Sequence, residues 1–407
     1  MKILIVNSLY YPNEKGGAEK SVRFLAERLK HNYSNYDVSI LTTDNYSHNE
    51  YFNGVNIYSL KIKNLYNVKE AKNQQKIKKI IWHILNSFNI LNYFKIARKI
   101  DEINPDIIHT NNIGGISSII WLIAHFKKIP LIHTIRDHSL LCIKTTMFKK
   151  GRNCSQQCFT CKLINIFNKK LSVNVNAVVG ISRYILDKHI NHNYFPKSLY
   201  KVIPNSLPNY YHLESKHNKK IKKSEILTCG YIGTIYEGKG IEFLIDTFAE
   251  LKNENIQLLI YGEAQNEHYL EIIKTKAKNS KIYFKGYQNI DKIFKSVDIL
   301  IAPSLLNEAF GRTIIEAYSY GIPVIGTKRG GIPELIKEGI TGYTFEPTNK
   351  EDLQSTILKF FENEKISNLS ANCIEEAHKY IPSNVTRQYS DLYTKILNNE
   401  LSSTRDT

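Results

Sequence analysis

Apolar positions along the chain fall into two alternating patterns. Lys2–Val6, Val38–Thr42, Ile107–Thr110, Leu131–Thr134 and Ala177–Ile181 are short, nearly continuous apolar runs, as expected of strands buried on both faces. Between them lie stretches with helical spacing, such as Ala18–Lys30 and Ser117–Lys127. The second half repeats the scheme, with strands expected at Leu227–Ile232, Gln257–Tyr261, Lys281–Phe284, Val297–Ala302 and Pro323–Thr327. Strands alternating with helices imply parallel sheets covered on both faces, with ligands at the carboxyl ends of the strands. Two such series in 407 residues imply two doubly wound α/β domains, each large enough for its own core. The break falls in Ile203–Lys223, where IPNSLPN runs into a polar, lysine-rich stretch without apolar periodicity. The expected domains are therefore 1–205 and 206–382, followed by a final helix. The tail Leu401–Thr407 is expected to be disordered.

One stretch breaks the pattern. Lys61–Arg98 opens with many lysines and few acids, then carries Ile80, Ile81, Trp82, Ile84, Leu85, Phe88, Ile90, Leu91, Tyr93 and Phe94. A basic amphipathic helix with an aromatic face can lie in a membrane interface. A helix packed on the first core, with a solvated lysine face, needs the same stripe. Spacing does not separate the two.

Bulk composition narrows the classes. Apolar content of 42% and charged content of 23% are ordinary for a soluble enzyme. No window approaches the run of about 20 apolar residues that spans a bilayer. The start, MKILIVNSLYYP, reads as a buried first strand rather than a secretory signal, so a cytoplasmic protein is expected. The formal charge of +17 admits nucleic acid, anionic membrane or anionic substrates as partners. No nucleic-acid-binding signature accompanies the charge, so nucleic acid is set aside in favour of peripheral contact with the inner face of the membrane.

The densest chemistry lies in Pro303–Gly331, PSLLNEAFGRTIIEAYSYGIPVIGTKRGG. Glu308 follows a buried strand on a loop leading into a helix, and Glu316 lies one to two turns inside that helix. Free N–H groups and the positive dipole at a helix start suit phosphate oxygens. Carboxylates accept hydrogen bonds from sugar hydroxyls, so the pattern reads as a nucleotide-sugar site. The order Pro-Ser, Glu-x-Phe-Gly, Glu-Ala, Gly-x-Pro-Val and Gly-Gly-x-Pro-Glu resembles the donor site of retaining glycosyltransferases of family 4, which have the GT-B fold. The resemblance extends over most of the chain. It implies two Rossmann-like domains facing a central cleft, the first binding acceptor and the second donor. It also implies a last helix, within 383–400, that crosses back to the N-terminal domain.

The resemblance assigns roles to individual residues. Glu316 is expected to bind the donor ribose, and Glu308 to contact the transferred sugar near the Phe310 and Gly311 amides. In GYIGTIYEGKG, Gly233 admits the ligand to the backbone, while Lys239, with Arg312, supplies cations for the diphosphate. Many relatives have arginine where this chain has Thr234, so these two cations carry more of that load. Gly262, in Tyr261-Gly262-Glu263, is expected near the base, although an ordinary strand-to-helix turn would read the same. Gly16 and Gly17 form an anion-friendly loop before a helix, bordering the donor diphosphate. Asn205 matches an interdomain Pro-Asn element of structural character.

In His133–His138, HTIRDH, relatives often have a His-Asp pair, whereas here Arg136-Asp137 stand at those positions beside His138. Arginine is no base at neutral pH but can stabilise a departing phosphate. In the front-face mechanism attributed to the family, the leaving diphosphate takes the acceptor proton, so no cofactor is required. Arg136, Asp137, His138 and Glu308 are the candidate catalytic residues. Cys142, Cys154, Cys158 and Cys161 cluster in sequence and match either one tetrahedral structural zinc or reduced thiols packing a loop.

The reading is a retaining hexosyltransferase that takes a nucleoside-diphosphate sugar such as a UDP-sugar. Its expected acceptor is a saccharide or lipid-linked saccharide, in cell-surface or capsular polysaccharide assembly. The alternatives are a catalytically silent nucleotide-sugar-binding partner, for which Thr234 and Arg136 speak, and a sugar-phosphate synthase or epimerase on the same scaffold.

Overall fold

The computed structural model describes residues 1–14, 16–208, 226–251, 255–278, 280–361 and 363–398. The expected boundary stretch Ile203–Lys223 lies outside the described residues from 209 onward, as does the tail Leu401–Thr407. The chain divides into two compact units. The first comprises Met1–Thr146, Ser155–Asn209 and Pro382–Thr407, and the second Met147–Cys154 and Tyr210–Ile381.

The strands of the first half are β1 (Lys2–Val6), β2 (Asp37–Asp44), β3 (His48–Phe52), β4 (Val55–Lys61), β5 (Ile107–Thr110), β6 (Leu131–Ile135), the hairpin pair β7 (Phe148–Lys149) and β8 (Arg152–Asn153), β9 (Ala177–Gly180) and β10 (Leu199–Val202). Those of the first unit form one sheet in the order β10-β9-β6-β5-β1-β2-β4-β3, parallel except for β3 against β4. The second sheet contains β11 (Leu227–Ile232), β12 (Ile256–Tyr261), β13 (Ile282–Gly286), β14 (Ile299–Ala302), β15 (Val324–Thr327) and β16 (Gly342–Phe345). They run parallel in the order β13-β12-β11-β14-β15-β16. The architecture is mixed α/β with two doubly wound sheets, as the alternating runs imply. Of the strands that the runs do not announce, β3 and β4 lie at one edge of the first sheet, β10 at the other and β16 at an edge of the second. One-sided burial leaves such strands too polar to stand out, as the exposed HNEYF of β3 illustrates.

Each unit has its own core. Ile3, Val22, Leu29 and Ile40 pack in the first, Leu227, Leu244, Ile301 and Phe345 in the second. The final helix, Pro382–Leu397, belongs to the first unit and buries Tyr389, Leu392, Tyr393 and Ile396 there.

The helices used below are α1 (Gly17–Asn32), α2 (Lys76–Ser87), α3 (Tyr93–Ile103), α4 (Ile119–Phe126), α5 (Phe159–Ile164) and α6 (Ile166–Leu171). Lys61–Arg98 is thus not one helix. Two 3-10 turns flank α2, and the last residues of the stretch begin α3. No helix among the described residues is long and apolar enough to cross a membrane.

Candidate functional site

In the second sheet β11 lies between β12 and β14, so strand order reverses there. A crevice outside the carboxyl ends of the strands is expected at that point. The chain leaves β11 at Gly233 and β12 at Gly262, and a Cβ on Gly262 would stand 1.9 Å from the Gly233 carbonyl oxygen. Gly262 also has φ +137°, so only glycine fits this contact. The 3-10 turn Glu237–Lys239 follows, closed by Gly240 at φ +71° against the carbonyl of Pro303. Lys239 is thereby held over the end of β14.

Glu308 sits on the loop after β14. Its Oε1 accepts from Lys239 Nζ at 2.6 Å and from Ser304 Oγ at 2.7 Å. Its carbonyl accepts from the Gly331 amide at 2.7 Å, where the chain turns tightly at Gly330. Burial works against the Lys239 charge, but the adjoining Glu308 carboxylate outweighs it and raises the lysine above its ordinary pKa. Three residues on, Gly311 caps the helix Arg312–Ser319, and Glu316 lies in its second turn. Arg312 Nη2 approaches Glu316 Oε1 at 3.0 Å, the favourable i,i+4 spacing. Phe310 is buried with its ring edge-on to Tyr380 at 6.3 Å. Asn153, at the end of β8, fixes the same loop from outside. Its Nδ2 donates to the Leu305 carbonyl at 2.7 Å, and its Oδ1 accepts from the Asn307 amide at 3.0 Å.

The first sheet reverses at β1, between β5 and β2. Ser8 and Asn112, just past β1 and β5, line a cavity of about 520 Å³ with Asp137, and with His83 and Asn86 of α2. Asn165 and Asn168 close it from the α5–α6 side. Burial pushes the Asp137 carboxyl up, against the Ser139 hydrogen bonds and the Arg136 charge. Burial also lowers His83 to about 4, so it is a neutral imidazole at neutral pH.

Arg136 is buried. Its Nε donates to Asn111 Oδ1 at 2.8 Å and its Nη1 to Asn205 Oδ1 at 2.7 Å. His138 is also buried, with Nε2 3.3 Å from the Tyr184 hydroxyl. His133 is a core residue bonded to Thr110 and lowered to about 3 by burial and the Arg136 charge. Gly16 caps α1, and Glu19 in the first turn reaches the cavity wall.

The pattern of Glycosyltransferase Family 4 matches residues 15–208 and that of Glycosyl transferases group 1 matches residues 213–380. A protein in the cps region of Klebsiella pneumoniae is 33% identical over 341 residues, 82% of this chain and 87% of that protein. The chain belongs to the family 4, group 1 glycosyltransferases. A glycosyltransferase of Methanocaldococcus jannaschii is 27% identical over 372 residues, 90% of each chain. Among solved structures, HepE of Anabaena in complex with UDP superposes with a TM-score of 0.69 at 18% identity, covering 97% of this chain and all of that one. The GT-B fold follows for this glycosyltransferase.

Within the second unit, the glycosyltransferase brings Gly233, Lys239, Gly262, Glu308, Phe310, Gly311, Arg312 and Glu316 to the loops around β11, β12 and β14 and the helix that follows β14. In the first unit, Asp137 lines the cavity, whereas Arg136 is engaged by two asparagines behind it. Sequence reasoning missed Asn153, His83 and Asn86. The last two had a signal, since they share the Lys79-His83-Asn86 stripe of α2, opposite its isoleucines. Asn153 had none, because only the fold brings its hairpin to Leu305–Asn307.

None of the six cysteines is joined in a disulfide. The Cys161 thiol bonds with those of Cys142 and Cys158 and accepts from the Ile143 amide, and the thiol contacts together with burial raise its pKa. Cys154 lies in the hairpin, its amide donating to the Met147 carbonyl at 2.6 Å. Among the described residues, no group of three or more His, Cys, Asp or Glu is arranged to hold a metal ion.

Proposed function

We propose that this glycosyltransferase moves a hexose from a nucleoside-diphosphate sugar, a UDP-sugar, to a hydroxyl acceptor with retention of configuration. The observation that carries the reading is the pairing of two carboxylates with two cations around the β14 loop, Glu308 with Lys239 and Glu316 with Arg312. Glu316 would hold the ribose diol and Glu308 the hydroxyls of the transferred sugar. Lys239 and Arg312 would turn toward the diphosphate as charge grows on the leaving group, a charge that preorganised donors stabilise best. HepE, whose fold this chain shares, has been solved with UDP-glucose, which supports a UDP-sugar here. The relative in the cps region supports assembly of a surface polysaccharide.

On the acceptor side, the cavity beside Asp137 is the proposed hydroxyl-binding pocket. With Arg136 held by Asn111 and Asn205, its role is to brace the strand ends under that pocket. The test is a thermal-shift screen of nucleoside-diphosphate sugars, followed by incubation of the hit with candidate acceptors. Stabilisation by a UDP-sugar and a product whose anomeric proton coupling matches the donor support the reading. Stabilisation with neither transfer nor donor hydrolysis would mark a silent nucleotide-sugar-binding partner instead.

A further inference from the structure

Helix α2 sits with its apolar side out. Ile77 is 72% exposed and Ile84 53%, and Ile81 lies on the same outer side, while Trp82, His83 and Asn86 turn inward to the cavity. Ordinary surface helices do the reverse. The exposed face continues onto α5 and α6, against which α2 packs. Phe159 there is 79% exposed and Leu163 59%. The Phe88 and Phe167 rings, stacked with centroids 4.8 Å apart, join the two halves of the face. A contiguous apolar surface of this kind marks an interaction site.

Charge identifies the occupant. Lys76 and Lys78 on α2 and Lys162, Lys169 and Lys170 on α5 and α6 are accompanied by no acidic residue on these helices. The sequence has no Asp or Glu at all in 71–100 or in 138–186. A second copy of the chain would bring the same lysines against these and be repelled. An anionic bilayer would accept both the side chains and the charge.

We propose that the outer face of α2, α5 and α6 docks on an anionic lipid surface. The same helices then form the membrane contact on one side and the wall of the Asp137 cavity on the other. A saccharide carried on a lipid could enter that cavity without leaving the bilayer. This last step alone rests on the glycosyltransferase reading of the pocket.

The test is flotation of the full chain with vesicles of phosphatidylglycerol in phosphatidylcholine, and with phosphatidylcholine alone. A variant carrying Ile77→Ser, Phe159→Ser and Leu163→Ser alters exposed side chains only, and its folding is checked by circular dichroism. The wild-type chain is expected to float with the anionic vesicles and not with the neutral ones. In the variant the bound fraction should fall by at least about tenfold, as the loss of three inserted apolar groups requires. Stabilisation by a UDP-sugar should be the same in both proteins, which separates this surface from the donor site. No flotation on anionic vesicles, or flotation that the three serines leave unchanged, would overturn the proposal. A dimer in solution that the serine variant abolishes would assign the face to a second copy instead.

Discussion

The Lys239 ammonium stands 2.6 Å from the Glu308 carboxylate across the end of β14, the two side chains 30% and 22% exposed. Neither comes from the same loop, so the pair ties the turn after β11 to the loop after β14. Replacing Lys239 with Met should cost about 1–2 kcal/mol, between the values for exposed and fully buried pairs. The folded pKa of Lys239 is raised, so its stabilising contribution is complete below the unfolded lysine value of about 10.4 and fades only as pH rises through the folded value. Denaturant titrations of wild type and Lys239→Met should therefore differ by a constant amount through neutral pH and converge only in strong alkali. Convergence near pH 7 would refute the pairing.

Glu316→Ala should weaken donor binding while leaving the fold intact. A carboxylate that holds two ribose hydroxyls contributes charge-assisted hydrogen bonds of about 1.5–3 kcal/mol each. Losing both bonds should raise the Kd for the UDP-sugar by at least about 100-fold. Calorimetric titration of both proteins measures this directly. An unchanged Kd would remove Glu316 from the site.

The final helix should behave as part of the first unit's core. Tyr393 is buried, with its hydroxyl 2.7 Å from His109 Nδ1, and the Tyr36 hydroxyl meets Ser390 Oγ at 2.7 Å. Tyr393→Ala should destabilise the protein by about 3–5 kcal/mol through the cavity it leaves. Tyr393→Phe, which removes only the hydroxyl from His109, should cost about 1–3 kcal/mol. Chemical denaturation followed by intrinsic fluorescence distinguishes the two.

The glycine turns admit a sharper test. Gly262→Ala places a methyl group 1.9 Å from the Gly233 carbonyl at a φ of +137°. Both the β11 and β12 turns must then move, and with them the approach to the donor crevice. Expected are a lowered melting temperature and a loss of UDP-sugar stabilisation. Gly339→Ala, with positive φ but nothing within 4 Å, serves as control, losing only about 1 kcal/mol and no binding.

Central strands were legible because full burial writes them as unbroken apolar runs. Leu227–Ile232 and Lys2–Val6 have the bounds their sequences predict. The Glu308–Glu316 segment was legible because strand, loop and helix are consecutive, so local spacing fixes geometry. What escaped was set by tertiary contact. Asn153 reaches Leu305 across 152 positions of sequence, and nothing in the spacing of a two-strand hairpin announces that. The orientation of α2 escaped for a related reason. An apolar stripe on a helix reads the same whether it faces a core or faces outward, and only its packing against α5 and α6 with Trp82 inward decides.

Asp137 offers the clearest separation of stability from function. Its carboxyl lines the cavity, and burial raises its pKa above the usual carboxylate value. A raised acid binds more protons folded than unfolded, so stability falls as pH rises from about 3.9, the unfolded value, through the folded one. At neutral pH the charged carboxylate therefore costs the fold free energy, and Asp137→Asn should relieve that cost. The Asn side-chain oxygen can still accept from the Ser139 amide, which bonds Asp137 Oδ1 at 2.7 Å. The variant should thus melt at the same temperature as wild type or higher at pH 7, and the difference should vanish below about pH 4. Stabilisation by the UDP-sugar should be unchanged, since Asp137 lies in the first unit's cavity and not among the donor residues. Transfer to the acceptor should nonetheless fall, by at least about tenfold if the carboxylate orients the attacking hydroxyl. A variant with full transfer activity would show Asp137 to be a buried structural acid, and the acceptor would have to be sought elsewhere along the cavity wall.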